Sequence, residues 1–422
     1  MPFAPAQIRS LFEMNVDTTT KWVVDLVQQA AQEQNYKVYL VGGFVRDLVN
    51  YGILNDLDFA VEGDAIYLAE HIEASNPIAF KAIKHPQFGT ARLLFPLAVP
   101  DVTHVDLATA RSEIYEHPGA LPQVKPSTIE QDLYRRDFTI NAMAIQLPDI
   151  SLLDPYEGWD DLRSRNIQVL HERSFIDDPT RIFRAARYEK RFGFHISEKT
   201  LKLISEALPI LARLSGERVS EEFRRIFAEQ NLEETLNRLH ELEVLKSIHP
   251  QLRGDGWFSE CYVRLYQILE TAPADVLWCI LLYPVGNLEA LSRRLGMSKA
   301  LSEAALRTQQ LVSIAVELPK HRKWSEKVRL IEAAGIKKEK TPVSIWAAAA
   351  ISSSSDLIEY SHGLQNIQSI LTGDDLKQMG LPPGPRFAKI LSKLRDARLD
   401  GEIATVEEER ALVQQWITSG EL

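Results

Sequence analysis

Cysteine is scarce in this sequence, and long apolar runs and an excess of basic residues are missing. Its 422 residues include only Cys261 and Cys279, with no His or Cys at ligand spacing, so neither a disulfide framework nor a zinc site is predicted. No apolar run approaches the length of a membrane span, and the first residues lack a basic start. We therefore expect a cytoplasmic protein that does not act at a membrane.

The charge balance argues against one broad class of function. A formal net charge of −10 disfavours bulk, non-specific binding to nucleic acid, because such binding depends on Lys and Arg facing phosphates. It leaves room for a local basic groove, so the positions of the arginines matter more than the total. A hydrophobic content of 45% is ordinary for a globular chain with a sizeable core.

The pattern of apolar residues changes along the chain. The first 150 or so residues carry short β-branched segments with turns between them, which predicts a small mixed sheet with helices. From about Asp160 the apolar residues recur at three and four spacing, which predicts an all-α remainder. The predicted class is therefore α+β. The predicted strands are 37–41, 57–61, 90–95 and 104–107, and the predicted helices are 17–34, 64–74, 180–192, 198–214 and 219–227.

Three acidic residues fall on predicted strands or next to them. Alternation along a strand places Asp56 and Asp58 on one face, where two carboxylates repel each other unless a cation lies between them. Hard oxygen ligands at this spacing suit Mg²⁺ that carries a nucleotide triphosphate. Asp106, on another predicted strand, is placed to complete a site for two metal ions.

A glycine pair precedes these acids. Gly42 and Gly43 permit close approach of the backbone to phosphate, and Arg46 adds positive charge there. Taken singly, the acidic pair also fits a solvated strand, and the glycine pair also fits an ordinary turn. The combination favours a site for a nucleotide.

Five ordered segments resemble the signature motifs of the bacterial-type tRNA nucleotidyltransferase and poly(A) polymerase family. The segments are 40–47 followed by 56–58, then 135–144, 154–162, 177–187 and 217–222. The resemblance implies a nucleotidyltransferase head at 1–155, a neck for base recognition at 156–225, a body at 226–340 and a tRNA-binding tail at 341–422. It also implies Mg²⁺ as the cofactor and CTP and/or ATP as the substrates. The implied partner is tRNA, bound at its acceptor stem and 3′ end.

In this family the first motif binds metal and triphosphate. By resemblance, Asp56 and Asp58 would hold the Mg²⁺ ions, with Asp106 as the third catalytic acid. Gly43 and Arg46 match the triphosphate contacts. In-line attack of a 3′-hydroxyl on an α-phosphate needs charge neutralisation and alignment more than a covalent intermediate.

The second motif would bind the rest of the nucleotide. Arg136 matches a nucleotide contact, and Asp137 and Asn141 match positions near the ribose, where acceptor and amide groups suit hydroxyl recognition. An isolated Arg-Arg-Asp segment also fits a surface ion pair.

The fourth motif would read the base. Asp178, Arg181, Arg184 and Arg187 are spaced by three residues and are predicted to form one inclined stripe on a helix that begins near Pro179. The resemblance assigns Asp178 and Arg181 to the base edge, because cytosine and adenine both present an amino group beside a ring nitrogen. Arg184 and Arg187 would face phosphates or orient that pair. Without the family context, the stripe also fits a solvated helix face.

Two departures from the family pattern bear on specificity. Asp177 stands where the family often has Glu, so it is left out of the predicted site. The segment 111–122 is less basic than the flexible loop of full CCA-adding relatives. We therefore give slight preference to CC addition, with A addition, full CCA addition and poly(A) synthesis as alternatives. A non-catalytic RNA-binding relative is disfavoured because Asp56, Asp58 and Arg136 are intact.

The C-terminal part contains a candidate RNA-binding helix. Arg386, Lys389 and Lys393 follow a Gly- and Pro-rich segment, which is typical of the tail of several family members. Free N–H groups at the start of this helix and its basic side chains would contact the tRNA backbone. A capped surface helix with solvated Lys and Arg is the alternative.

Overall fold

The strands predicted for the N-terminal part form one twisted sheet. The computed structural model describes residues 5–50, 52, 54, 56–75, 80–95, 103–336 and 342–420. The chain divides into two compact units, 1–214 and 215–422. The fold class is α+β as predicted, and the four-part division into head, neck, body and tail stays a prediction.

The first unit contains the sheet and the helices around it. Its strands are β1 (Lys37–Val41), β2 (Leu57–Glu62), β3 (Lys81–His85), β4 (Thr90–Leu94), β5 (His104–Thr109), β6 (Arg111–Ile114), β7 (Gln123–Pro126), β8 (Ala144–Gln146), β9 (Ser151–Leu153), β10 (Asn166–Ile167) and β11 (His195–Ile196). Its helices are α1 (Pro5–Asn15), α2 (Thr18–Glu33), α3 (Gly43–Val49), α4 (Ala65–Ser75), α5 (Ile129–Tyr134), α6 (Gly158–Ser164), α7 (Ser174–Asp177), α8 (Arg181–Phe192) and α9 (Glu198–Leu211).

Seven strands lie side by side in the order β3-β4-β5-β2-β1-β8-β9. All neighbours are antiparallel except β2 and β5, which run parallel. Helix α5 covers one face of the sheet, where Ile129 and Leu133 pack with Tyr39, Val41 and Ala60. The backbone N–H of Ile129 also donates to the carboxylate of Glu62 at the end of β2 (2.8 Å). These contacts hold α5 over the face of the sheet that carries Asp58.

Helix ends lie close to their predicted positions where a capping side chain marks them. Asp17 caps α2, since its Oδ1 accepts from the backbone N–H groups of Thr19 and Thr20 at 2.8 and 2.9 Å. Ser197 caps α9 in the same way through Thr200. Helix α9 ends at Leu211, three residues before the predicted end.

Several strands were not predicted. Strand β3 is a lysine-containing edge strand with little burial, so it lacks the apolar alternation that marks a strand in sequence. Strands β6 and β7 pair with each other in a separate hairpin. The prediction of an all-α chain after residue 160 was also wrong in one place, because β10 and β11 form a short parallel pair.

In the described residues of the second unit, 215–336 and 342–420, all regular secondary structure is helical. Its helices are α10 (Gly216–Phe227), α11 (Leu232–Glu241), α12 (Val244–Ile248), α13 (Gly256–Ile268), α14 (Ala274–Leu282), α15 (Leu288–Arg294), α16 (Lys299–Ala315), α17 (Trp324–Ala333), α18 (Val343–Ser352), α19 (Ser355–His362), α20 (Gly373–Gln378), α21 (Arg386–Leu399) and α22 (Val406–Ser419). Among the described residues, no helix combines the length and the apolar character that a membrane crossing requires.

Two apolar clusters hold the second unit together. One joins α16, α17, α18 and α19 through residues such as Leu311, Val328 and Ile345. The other joins α20, α21 and α22 through Leu376 and Leu394 among others. Helices on both sides of the predicted boundary at 340 therefore share one core.

A buried carboxylate anchors the last helix. Glu409 is fully buried and accepts from the backbone N–H groups of Ile370 (2.9 Å) and Leu371 (2.8 Å). The guanidinium of Arg398 lies 3.3 Å from its Oε1. This carboxylate thus ties the segment before α20 to both α21 and α22.

We expect Glu409→Ala to lower the free energy of unfolding of the second unit by about 3 kcal/mol, since it leaves Arg398 and two backbone donors without their partner. Chemical denaturation of the full chain measures the loss. Glu407→Ala, on the exposed side of the same helix, is the matched control. Equal stability of the two variants would contradict the anchoring role.

Candidate active site

Two of the predicted acids stand side by side in the sheet. Asp58 on β2 and Asp106 on β5 are direct partners in the parallel register. Asp56 precedes β2 by one residue and is exposed. The structure thus brings Asp58 and the predicted third acid, Asp106, together on neighbouring strands, while Asp56, the other member of the predicted pair, lies just before β2.

The electrostatics of Asp58 reflect this crowding of carboxylates. Burial is the largest cause of a rise in the pKa of Asp58 to about 6, and the charges of Asp106 and Asp56 add to it. Arg136 and Arg92 act in the opposite direction. Ionisation of Asp58 is costly because Asp58 is buried and two other carboxylates lie nearby, and a cation would reduce that cost. The oxygens of these three carboxylates suit a hard divalent ion such as Mg²⁺.

Arg92 occupies part of this site and was not predicted. It lies directly opposite Asp106 in the antiparallel register of β4 and β5. Its Nε and Nη2 each donate to one oxygen of Asp106 at 2.7 Å. Among the described residues, no three His, Cys, Asp or Glu side chains are arranged closely enough to hold one metal ion. Both oxygens of Asp106 are instead paired with Arg92.

The glycine turn lies directly against the acids. Gly42 has a φ of +72°, a conformation that side chains rarely adopt. A Cβ at this position would come within 3.3 Å of Nη1 of Arg136 and 3.5 Å of Oδ2 of Asp58. The backbone conformation therefore favours glycine here, and Arg136 and Asp58 lie close against the turn.

Each of the three guanidinium nitrogens of Arg46 donates to a protein side chain. Its Nε and Nη2 donate to the two oxygens of Asp47 at 2.8 and 2.9 Å, and its Nη1 donates to Oδ1 of Asn141 at 2.7 Å. The guanidinium also lies 4.7 Å from the centre of the Phe192 ring. Arg46 therefore joins the glycine turn to the second motif. Its contact with a triphosphate, and that of Gly43, remain predictions.

The second motif continues this network of buried charges. Asn141 donates to Oδ1 of Asp137 at 3.0 Å, and Arg184 lies 2.7 Å from Oδ2 of the same carboxylate. Burial works to raise the pKa of Asp137, but Arg184, Asn141 and Arg181 outweigh it and hold that pKa below its usual range. Asp137 is therefore ionised inside the protein, where it fixes the positions of Asn141 and Arg184.

Arg135 and Arg136 share one buried carboxylate, Asp132, which sequence reasoning missed. Arg135 Nη2 donates to Oδ1 of Asp132 at 2.7 Å, and Arg136 Nη2 donates to Oδ2 at 3.0 Å. Arg135 also pairs with Glu113 on β6 (2.9 Å). The spacing of three and four residues on α5 was the available signal. The alternative of a surface ion pair within Arg135-Arg136-Asp137 is wrong, because Asp137 is buried and pairs with Arg184, whereas the two arginines pair with the buried Asp132.

The fourth motif consists of a turn followed by a helix, and its residues do not form one continuous stripe. Helix α8 begins at Arg181, and Asp178 stands before it in extended conformation, where its Oδ1 accepts from N–H and Oγ1 of Thr180. The prediction that Asp178 and the arginines share one helical stripe was therefore wrong, because the turn at 178–180 separates them. Asp178 nevertheless lies only three residues before Arg181, at which α8 begins.

The three arginines that the fourth motif places on α8 differ in their contacts. Arg181 is buried, and its guanidinium donates to Oγ of Ser174 (2.7 Å) and to the backbone carbonyl of Arg135. Arg184 pairs with Asp137. Arg187 is buried, and its Cζ lies 5.7 Å from the centre of the Tyr188 ring. The alternative of a solvated arginine face is wrong for Arg181 and Arg187.

The basic residues predicted for RNA binding lie in the second unit. Arg386, Lys389 and Lys393 are all exposed on α21, and Lys393 lies 5.3 Å from the centre of the Trp416 ring. Arg395 on the same helix instead forms an ion pair with Glu332 (2.6 Å). The helix is confirmed, and its contact with RNA remains a prediction.

Comparison with known proteins decides the family. A profile of the poly A polymerase head domain matches residues 38–168, and one of the probable RNA- and SrmB-binding site of polymerase A matches 193–254. An A-adding tRNA nucleotidyltransferase from Halalkalibacterium halodurans is 31% identical over 89% of this chain and 87% of its own. The chain belongs to the tRNA nucleotidyltransferase and poly(A) polymerase family. This confirms the resemblance inferred from the motifs.

Other relatives extend this picture. An A-adding tRNA nucleotidyltransferase from Geobacter sulfurreducens is 33% identical over 97% of this chain, which spans only 48% of that relative's length. A CC-adding tRNA nucleotidyltransferase from Deinococcus radiodurans is 35% identical over 45% of this chain and 49% of its own. The structure of an apo CCA-adding enzyme superposes with a TM-score of 0.83 at 30% identity, covering 97% of this chain and 98% of that one.

The Asp132 ion pairs make stability depend on pH. Burial works to raise the pKa of Asp132, but Arg136 and Arg135 outweigh it and hold the folded-state pKa below its ordinary 3.8. A lowered folded-state pKa stabilises the fold above the unfolded value, and this contribution is lost as pH falls through the folded one.

We expect Asp132→Asn to lower the free energy of unfolding by about 3 kcal/mol at pH 7, and the difference from the unaltered protein to shrink below about pH 4. Denaturation at a series of pH values measures both effects. Asp160→Asn, at an exposed carboxylate, should show neither. A difference that does not change with pH would rule out the ion pairs as its source.

Proposed function

We propose that this protein transfers nucleotides from ATP or CTP to the 3′ end of tRNA, with addition of the terminal A as the favoured activity. The observation that carries the proposal is the pairing of Asp58 with Asp106 beside Gly42 and Arg136. A tRNA substrate is supported by the tRNA nucleotidyltransferases among the relatives and by a Thermotoga maritima CCA-adding enzyme complexed with tRNA, which superposes with a TM-score of 0.78 at 29% identity.

The proposed reaction is an in-line displacement at phosphorus. The 3′-hydroxyl oxygen of the RNA forms a bond to the α-phosphorus, the bond from that phosphorus to the bridging oxygen breaks, pyrophosphate leaves and the hydroxyl proton passes to solvent. Asp56, Asp58 and Asp106 would hold Mg²⁺, which would supply charge neutralisation for the phosphates. Release of Asp106 from Arg92 frees both of its oxygens for this role.

Selection of the base is assigned to the fourth motif. Asp178 would accept from the amino group of adenine or cytosine, and Arg181 would donate to the adjacent ring nitrogen. Arg181 is held by Ser174 and by the carbonyl of Arg135, so its guanidinium has a fixed orientation. Asp137 and Asn141 would lie by the ribose, and Gly43, Arg46 and Arg136 by the phosphates. Arg184 and Arg187 would support this arrangement.

The relatives change the preference between CC and A addition. The sequence favoured CC addition slightly, because segment 111–122 lacks a basic loop. Relatives named A-adding tRNA nucleotidyltransferases match 97% and 89% of this chain, whereas the CC-adding relative matches 45%. A addition is therefore the first candidate. CC addition is the second, supported by the 35% identity of that shorter match.

One assay distinguishes the candidates. Purified protein, Mg²⁺ and either ATP or CTP are offered to tRNA that lacks CCA, tRNA that ends in CC and complete tRNA. We expect ATP to extend only the tRNA that ends in CC. Use of CTP on the first primer would instead establish CC addition, and long A tails on unrelated RNA would establish poly(A) synthesis.

In the same assay we expect Asp58→Asn to slow transfer by at least about 100-fold, because metal-assisted charge stabilisation is worth several kcal/mol. Asp25→Asn, at an exposed carboxylate of α2, is the control that should keep full activity. Failure of the unaltered protein to extend any RNA would overturn the proposed function. Undiminished transfer by Asp58→Asn would show that Asp58 does not belong to the catalytic site.

A further inference from the structure

Three aromatic side chains form a surface cluster next to the candidate active site. The Tyr134 ring lies 5.7 Å from the ring of Tyr156 and 5.0 Å from that of His171, measured between centroids. We name Tyr134, Tyr156 and His171 the aromatic platform. Tyr134 is 42% exposed although its ring has two aromatic neighbours, so part of this large ring is open to solvent.

A hydrogen bond anchors the platform to α5. The Tyr156 hydroxyl donates to the backbone carbonyl of Glu130 on α5 (3.1 Å). Burial, and then the charge of Arg181, lowers the pKa of His171, so its ring is neutral at neutral pH. The platform is therefore a fixed, uncharged surface.

Tyr134 is also directly connected to the proposed catalytic and base-reading residues. It ends α5, two residues before Arg136, whose guanidinium lies against Gly42 with Asp58 beside it. The carbonyl of the intervening Arg135 accepts from Arg181. Arg181 in turn donates to Ser174, whose N–H donates to the carbonyl of His171 (3.1 Å). One set of contacts thus links the platform to the residues assigned to phosphate and base.

We propose that the aromatic platform stacks the 3′-terminal base of the RNA primer. This inference rests on the proposed function, which requires a flexible single-stranded end to be held with its hydroxyl at the α-phosphate. Proteins hold single-stranded RNA ends by stacking the bases on exposed aromatic rings, an interaction that accepts any base. Tyr134 is then a positioning residue for the primer, distinct from the groups that read the incoming nucleotide.

Kinetics with altered primers test the proposal. The primers are tRNA that ends in CC and the same tRNA with its last base removed but its ribose 3′-hydroxyl kept. We expect Tyr134→Ala to raise the KM for the intact primer about tenfold, the effect of losing one base–aromatic stack, with the KM for the nucleotide unchanged. On the abasic primer, Tyr134→Ala and the unaltered protein should perform alike.

Two variants separate stacking from a structural role. Tyr134→Phe keeps the ring and should bind the intact primer normally. Tyr67→Ala removes an equally exposed tyrosine from α4 and should change nothing. A rise in the KM for the nucleotide, an equal loss on both primers, or no effect of Tyr134→Ala would each overturn the proposal.

A binding measurement keeps this test separate from the proposed activity. Replacement of the terminal base by 2-aminopurine gives a fluorescence that falls when the base stacks on an aromatic ring. We expect quenching by the unaltered protein and by Tyr134→Phe, and much less by Tyr134→Ala. If no nucleotide is transferred but quenching depends on Tyr134, the proposed function fails and the platform stands. If transfer proceeds and quenching is independent of Tyr134, the platform fails alone.

Discussion

The parallel pairing of β2 with β5 is the constraint on which the rest of the site depends. In this register Asp58 and Asp106 are direct partners, so two carboxylates stand on adjacent strands with Asp56 nearby. Such an arrangement is unfavourable by itself, because burial and then the charges of Asp106 and Asp56 raise the pKa of Asp58. The surrounding charges reduce this cost, with Arg92 on Asp106 and Arg136 beside Asp58.

A chain of buried hydrogen bonds and an ion pair connects this arrangement to the neighbouring motifs. Arg46 connects the glycine turn to Asn141, and Asn141 connects to Asp137, which holds Arg184 on α8. Buried charges persist when each has a partner, and removal of one leaves the other unpaired at high cost. The first, second and fourth motifs are therefore linked as one network. The arginines that the sequence assigned to the nucleotide also hold the protein together.

Apolar alternation and capping residues predicted most of the sheet and several helices, because both signals are local. The strands at 37–41 and 57–61 and the helix that follows Asp17 lie within a residue or so of their predicted positions. Strand β3 and the partners Arg92 and Asp132 were missed, because they depend on which strands and helices meet in the folded chain. The split of the fourth motif was missed for a related reason, since a spacing of three residues does not reveal the turn at 178–180.

The central claim is that the carboxylates of β2 and β5 together bind a divalent cation. Titration calorimetry with Mn²⁺ in the absence of RNA and nucleotide tests it without any dependence on activity. We expect the unaltered protein and Asp25→Asn to bind the ion, and Asp58→Asn and Asp106→Asn each to lose most of that affinity. Equal binding by all four proteins would place the metal elsewhere and contradict the account.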